Sequence, residues 1–275
     1  MIITTLLENH RDPKRPELEA EHGLSFYIEH DGHIFMSDVG QSGKFADNAK
    51  KLGIDLSGVE ALAISHYHYD HGGGLDRFFN ENKDAAVYLK KAPLDMNYIA
   101  ESETGVLRYI GLDKGLMKTF DQRIEYIKEP IEILPGIHLL TDIPEVYPLP
   151  ESNRNLKMQQ GEDIKPDTFE HEMVMVIDGD EGLVILTGCG HNGVVNMIAA
   201  AHQSFSDEPI QVVIGGFHLM HEEENAVRAI GGELFRMDIP QIYTGHCTGD
   251  DSVDVLAEVL GGRLHRLYTG LVLRV

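Results

Sequence analysis

Residues 59–74 read Val59-Glu-Ala-Leu-Ala-Ile-Ser65-His66-Tyr-His68-Tyr-Asp70-His71-Gly-Gly-Gly74. The stretch from Val59 to Ser65 is short and nearly all apolar, which suits a strand buried on both faces. It runs directly into an H-x-H-x-D-H cluster. In extended backbone, residues i and i+2 point to the same side, so His66 and His68 can converge on one ion. Asp70 and His71 lie further round the turn, where they can serve a second ion. Gly72 to Gly74 let the chain turn sharply there. Imidazole nitrogen and carboxylate oxygen are good ligands for Zn²⁺, Fe and Mn²⁺. The plain alternative is an exposed polar loop, which does not explain four ligand-type residues at this spacing.

Working outward, the segment before the cluster reads as strands and tight turns. Ile2 to Leu7 is apolar and β-branched, Leu24 to Glu29 alternates, Asp31-Gly32 has hairpin-turn chemistry, and His33 to Asp38 resumes a strand. Phe45 to Leu52 and Leu75 to Asn80 have helical spacing. The middle, about 93–166, is less regular and reads as an insertion near the site, with Asn153 to Pro166 an exposed polar loop. Met96, Tyr98, Tyr109, Met117 and Phe120 fall in it. They suit ordinary packing of a helical insertion, or the wall of an apolar pocket for a flat ring. In the last third, strands at 173–178, 182–187, 210–214 and 241–243 alternate with helices at 194–202, 225–236 and 251–260, and 264–275 closes with strands. Three of those strands end in Gly-and-His or Cys loops: Gly188-Cys-Gly-His191, Gly215-Gly-Phe-His218 and Gly245-His-Cys-Thr-Gly249. A β-rich start, an alternating end and no linker predict one α/β domain over 1–275, with two sheets covered by helices.

Composition narrows the function. The chain has 275 residues with 23 Lys plus Arg against 45 Asp plus Glu, a formal net charge of −22. Broad binding to nucleic acid or anionic lipid needs basic surface, so both are disfavoured. No apolar run reaches the ~18–20 residues of a membrane span, and no signal-peptide pattern is read at the start, which predicts a cytoplasmic protein without membrane contact. Two cysteines make no disulfide framework, whereas 15 histidines are unusual. A homo-oligomer is compatible with this composition.

The cluster and its surroundings resemble the metallo-β-lactamase superfamily. Glu21-His-Gly-Leu-Ser25, Asp38-Val-Gly40, SHYHYDHGGGL, TGCGHNGVVN, VIGGFHL and GHCTG occur in the order of one branch. That branch includes proteins called 7,8-dihydropterin-6-methyl-4-(β-D-ribofuranosyl)aminobenzene 5′-phosphate synthase, of methanopterin biosynthesis, and relatives called simply metal-dependent hydrolases. The resemblance runs from about Leu6 to Val275. It implies a four-layer αβ/βα sandwich with metals at the edge between the sheets.

It also implies further ligands. The superfamily supplies a third His, a bridging Asp or Cys, and a final His. His246, after the strand IPQIYTG, matches the final His. Cys189 stands at the bridging position, where most relatives have Asp. A thiolate is a legitimate but softer ligand, and a small buried residue is the competing reading. Two histidines compete for the remaining place: His191, two residues beyond Cys189, and His171, just before the strand MVMVID. His218 and His22 are expected to line the pocket, with ligation open for His218. Cys247 reads as a packed thiol. His10, His30, His33, His138, His202, His221 and His265 have no ligand-like setting. Arg154 and Lys157 are weak candidates for a phosphate, against solvated surface charge.

A metal with three protein ligands and an open position lowers the pKa of bound water to about 7. The expected enzyme is therefore a metal-dependent hydrolase, with one or two ions, zinc first and Mn or Fe as alternatives. It would use metal-bound hydroxide on a small molecule, with or without a phosphate. Asp70 is the catalytic candidate to orient the nucleophile or take its proton. One alternative is the synthase of the branch name, which joins two substrates. A di-iron redox protein is the other.

Overall fold

The computed structural model describes residues 1–93, 95–205 and 208–275. Its frame is a pair of seven-stranded sheets. One runs, edge to edge, through Val272–Arg274, Ile2–Leu7, Ser25–His30, His33–Ser37, Ala61–Ala63, Ala86–Lys90 and Ile124–Ile127. The other runs through Leu264–Arg266, Gln241–Thr244, Ile210–Gly215, Gly182–Leu186, Val174–Gly179, Ile137–Leu140 and Ile131–Leu134. Each sheet is antiparallel on one side and parallel on the other.

Period-two alternation builds the layers. Phe26, Ile28 and Phe35 of the first sheet meet Val184, Val212 and Ile214 of the second, all fully buried, in a core between the sheets. Their strand neighbours face outward. Met36 and Leu62 pack against Phe45, Ala49 and Phe78 of the helices Lys44–Leu52 and Leu75–Glu81. Ile185 and Val213 pack under the helices Val194–Ser204, Glu224–Arg236 and Asp250–Leu260. The result is helix, sheet, sheet, helix. The strands are apolar on both faces because both faces are covered. The last strand of the chain returns to the first sheet, where Leu273 registers with Ile3.

The middle of the chain departs from the sequence reading. Ile124–Ile127, Ile131–Leu134 and Ile137–Leu140 are strands of the two main sheets, not part of an insertion. What remains is β-structure rather than a helical insertion. Asp163–Pro166, Leu156–Gln160, Asn97–Glu101 and Leu107–Tyr109 form a four-stranded antiparallel sheet, with one short helix at Lys114–Thr119. The segment read as an exposed loop, 153–166, contributes a hairpin to it. Its polar residues concealed strands because Asp163–Pro166 is exposed and Leu156–Gln160 is only half-buried. This small sheet docks on the metal-type loop: Tyr69 N–H donates to Ile110 O at 2.8 Å.

Candidate metal centre

The candidate ligands gather where strand ends of both sheets meet. His66 follows Ala61–Ala63, Cys189 and His191 follow Gly182–Leu186, His218 follows Ile210–Gly215, and His246 follows Gln241–Thr244. Side chains therefore converge from several loops on one rim. Close approach decides some backbone choices. A Cβ on Gly188 would lie 2.0 Å from Ser65 Oγ, so only glycine fits there. His246, His218 and Asp38 hold left-handed φ values of 53°, 51° and 60°. Non-glycine residues in that region cost energy and cluster at functional sites.

Cys189 is common to three groups of ligand-type atoms, two of which contain residues of the H-x-H-x-D-H run. Asp70, His71, Cys189 and His246 place one ligand atom each within 4.8 Å of one another, and so do His66, Cys189 and His191. In the first set His71 Nε2 lies 3.1 Å from Cys189 Sγ and 3.2 Å from His246 Nε2, and Asp70 Oδ2 lies 3.3 Å from His246 Nε2. In the second region His66 Nε2 lies 3.1 Å from His68 Nδ1. All of these side chains are buried.

The other ring nitrogens are held in a way that aims Nε2 inward. Ser65 Oγ–H donates to Asp38 Oδ2 at 2.8 Å, so Ser65 Oγ accepts from His66 Nδ1–H at 2.9 Å. His71 Nδ1–H donates to Asp38 Oδ2 at 2.7 Å. His246 Nδ1–H donates to Asn9 Oδ1 at 2.9 Å, and His191 Nδ1–H to Asn153 Oδ1 at 3.0 Å. Each of these four rings therefore turns Nε2 toward the cluster; on neutral His66 and His191 that atom is a lone pair, whereas on His71 and His246 it also faces the Asp70 carboxylate. Such outer partners fix tautomer and orientation at metal sites. His191 Nε2 is buried without a hydrogen-bond partner among the described residues. A bare buried lone pair among other lone pairs is costly, and a cation answers all of them at once. The residues thus fit a metal.

Electrostatics agree. Burial pushes His66 and His191 well below the ordinary histidine value and His68 down to about 3, so these rings are neutral, the form that binds metal. Burial opposes charge on Asp70, yet His71 and hydrogen bonds from His22 and His246 outweigh it and hold the carboxyl well below its usual range. Burial also opposes charge on His71, but Asp38 and Asp70 raise it to about 9. Burial pushes the Cys189 thiol up.

The competing histidines fall in different groups of ligand-type atoms. His191 joins His66 at Cys189, and its ring lies 4.9 Å from those of both His66 and His68. His171 does not join Cys189 but groups with His68 and Asp167. Its Nδ1 accepts from Tyr67 N–H at 3.2 Å and its Nε2 donates to Asp167 Oδ2 at 3.2 Å, so both nitrogens are committed beside His68. His22 is half-exposed and donates from Nε2 to Asp70 Oδ2 at 3.2 Å, which orients that carboxylate. His218 packs against His191 at 4.1 Å and forms a further group with Cys189 and Cys247. Cys247 Sγ–H donates to Cys189 O at 3.2 Å. Lys157 pairs with Glu101 on the small sheet, so it is not free for a phosphate. None of the seven other histidines joins a ligand group among the described residues.

Sequence reasoning missed the outer partners. Asp38 was visible only as part of Asp38-Val-Gly40, although it supports both His66 and His71. Asn9 and Asn153 carry no local signal, since each meets its histidine across a long chain separation. Buried Glu172 was missed as well; it accepts from His191 N–H at 3.0 Å and Asn192 N–H at 2.7 Å and fixes that loop.

Comparison with known proteins agrees with this geometry. The sequence profile of the metallo-beta-lactamase superfamily matches residues 18–195. The chain is 27% identical over 289 residues to the 7,8-dihydropterin-6-methyl-4-(beta-D-ribofuranosyl)-aminobenzene-5′-phosphate synthase of Methanocaldococcus jannaschii, covering 99% of this chain and 96% of that protein. It superposes on the crystal structure of Tm1679, described as a metal-dependent hydrolase of the beta-lactamase superfamily, with TM-score 0.85 and 28% identity over 100% of this chain and 99% of the other. A diphosphatase from the PhnP family shares the fold at TM-score 0.53 and 14% identity, over 100% of this chain and 97% of the other. With a profile match over more than half its length and full-length relatives of this kind, the chain is an enzyme of the metallo-beta-lactamase superfamily.

Proposed function

We propose that the enzyme is a two-metal catalyst of displacement at an ester or phosphate of a small molecule, hydrolysis being the simplest case. The observation that carries this reading is the single sulfur of Cys189 common to two buried ligand sets. His66, His68 and His191 would hold one ion, and Asp70, His71 and His246 the other, with Cys189 between them. Bound divalent ions lower the pKa of a coordinated water and neutralise charge on an ester or phosphate oxygen. The protein's own part is orientation. Asp38, Ser65, Asn9 and Asn153 hold four rings, and His22 holds Asp70 in place. Because Asp70 receives His22 and His246, its role is that of a ligand more than a free base.

A second reading is favoured by the full-length similarity to the synthase. The same centre would then serve a coupling with loss of a leaving group, not hydrolysis. The test is elemental analysis of wild type beside His68→Ala and Cys189→Ala, followed by assays with phosphodiesters and with a dihydropterin plus a phosphoribosyl aryl amine. About two equivalents of zinc or manganese, lowered in both variants, support the two-metal centre. Diphosphate release with a coupled product selects the synthase, and hydrolysis products select the hydrolase. Protein that takes up no metal on titration sinks both readings, and iron with oxygen consumption replaces them with redox chemistry.

A further inference from the structure

A cavity lies on the side of the metal-type loop away from the candidate ligands. In extended backbone the side chain between His66 and His68 must point away from theirs, and Tyr67 does so. Its ring enters a cavity of about 660 Å³ between the first main sheet and the small sheet, a volume in the range of small-molecule pockets. None of the candidate metal ligands lines it. The inner wall is aromatic and soft: Tyr67, Tyr98 and Tyr126, with Met96 and Met117.

The mouth has a different character. Lys114 and Lys118, one turn apart on the helix Lys114–Thr119, stand at the rim with one opposing carboxylate, Asp121. Lys114 donates to the neutral Asn97 Oδ1 at 2.8 Å, and neither lysine has an ion-pair partner within 4.0 Å among the described residues. The rim is therefore locally cationic on a chain whose net charge is −22. The pocket also touches the metal loop. The Tyr98 ring lies tilted with its centroid 4.1 Å from that of His171, which accepts the Tyr67 N–H, and Leu112 fills the space left by the missing side chain of Gly72.

We propose that this cavity is a binding site for a planar aromatic molecule carrying one anionic group, with the ring between Tyr67, Tyr98 and Tyr126 and the anion at Lys114 and Lys118. Flat rings gain from offset and edge contacts with tyrosines and from sulfur of methionine. The anion adds charge complementarity at a rim that repeats nowhere among the candidate ligands. The site goes beyond the two-metal reading and does not depend on it.

The test uses 2-naphthalenesulfonate, a ring with an anion that resists hydrolysis, titrated into the protein as purified. Wild type is expected to bind one equivalent. Lys114→Glu with Lys118→Glu, both exposed positions, is expected to weaken that binding about tenfold, the combined scale of two exposed ion pairs, while leaving 2-naphthol binding unchanged. Met117→Trp, which fills the cavity, is expected to abolish both, with unchanged melting temperature as the check on folding. Equal binding by the double lysine variant, or by Met117→Trp, overturns the proposal. Binding that survives the lysine changes but vanishes in His68→Ala places the probe at the metals and overturns it while leaving the two-metal reading intact. Methanesulfonate binding as tightly as the naphthalene probe overturns the aromatic part.

Discussion

Asp38 Oδ2 lies 2.7 Å from His71 Nδ1, and the same oxygen accepts Ser65 Oγ–H at 2.8 Å. One fully buried carboxylate, from a strand end well before the metal-type loop, thus orients His71 directly and His66 through Ser65. Outer partners of this kind typically change metal affinity by about 10–100-fold. Asp38→Ala is expected to lower zinc affinity on that scale, measured by competition with a chromophoric chelator. Asp38→Asn keeps a hydrogen-bonding acceptor and is expected to recover part of the loss. Unchanged affinity in Asp38→Ala would falsify the assignment of His71 Nε2 as a ligand atom.

Cys189 belongs to both ligand sets. Cys189→Asp offers a harder bridging donor and is expected to retain two ions with a shift toward manganese over zinc, whereas Cys189→Ala is expected to hold the second ion at least about tenfold more weakly. Metal stoichiometry by mass spectrometry after gel filtration checks both. Equal zinc content in wild type and Cys189→Ala would place the thiol outside coordination.

Gly188 has no room for a side chain. A Cβ there meets Ser65 Oγ at 2.0 Å and His66 Nδ1 at 3.2 Å. Gly188→Ala forces Ser65 off Asp38 and is expected to cost about 1–3 kcal/mol of stability, the usual scale of overpacking, together with weakened metal binding. Urea denaturation reads the first effect. A variant as stable as wild type contradicts the close approach.

His71 is raised to about 9 by Asp38 and Asp70 against the opposing effect of burial, and a metal at its Nε2 must displace that proton. The sign follows directly. Below about pH 9 binding releases this proton, so His71 adds up to about tenfold per pH unit to the affinity and its contribution levels off above that pH, while the raised Cys189 thiol, which must also ionise to bind, adds a slope of its own. His68, at about 3, contributes no such slope near neutrality. Calorimetry in two buffers of different ionisation enthalpy counts the protons released at pH 7. Two protons are expected, one from His71 and one from Cys189; a count of one or fewer would disprove this account of His71.

Asn153 holds His191 at both ends, accepting from Nδ1–H at 3.0 Å and donating to the backbone O at 2.8 Å. It sits in a surface segment away from the main core. Asn153→Ala is expected to weaken metal binding about tenfold with little change in melting temperature. A large fall in melting temperature with intact affinity would reverse that division.

The sequence alone determined the frame and the local part of the candidate site. Period-two runs such as Ser25–His30 and helical spacing such as Glu224–Arg236 are local patterns, and local patterns survive in one dimension. The H-x-H-x-D-H run is local too, so His66, His68, Asp70 and His71 were legible from spacing. The solvated hairpin of 156–166 was not, because its polar faces hide the alternation that burial creates elsewhere.

The distant members of the candidate centre come together only through tertiary packing. His191 and His171 each suited the same role in the sequence. The fold sets His191 against Cys189 and commits both nitrogens of His171 to Tyr67 N–H and Asp167. Asn9, Asp38 and Asn153 became part of the site for the same reason: their partners lie 237, 33 and 38 residues away along the chain. Ligand geometry is a property of distances in space, and the closing of two sheets on one another creates those distances after the local patterns have formed.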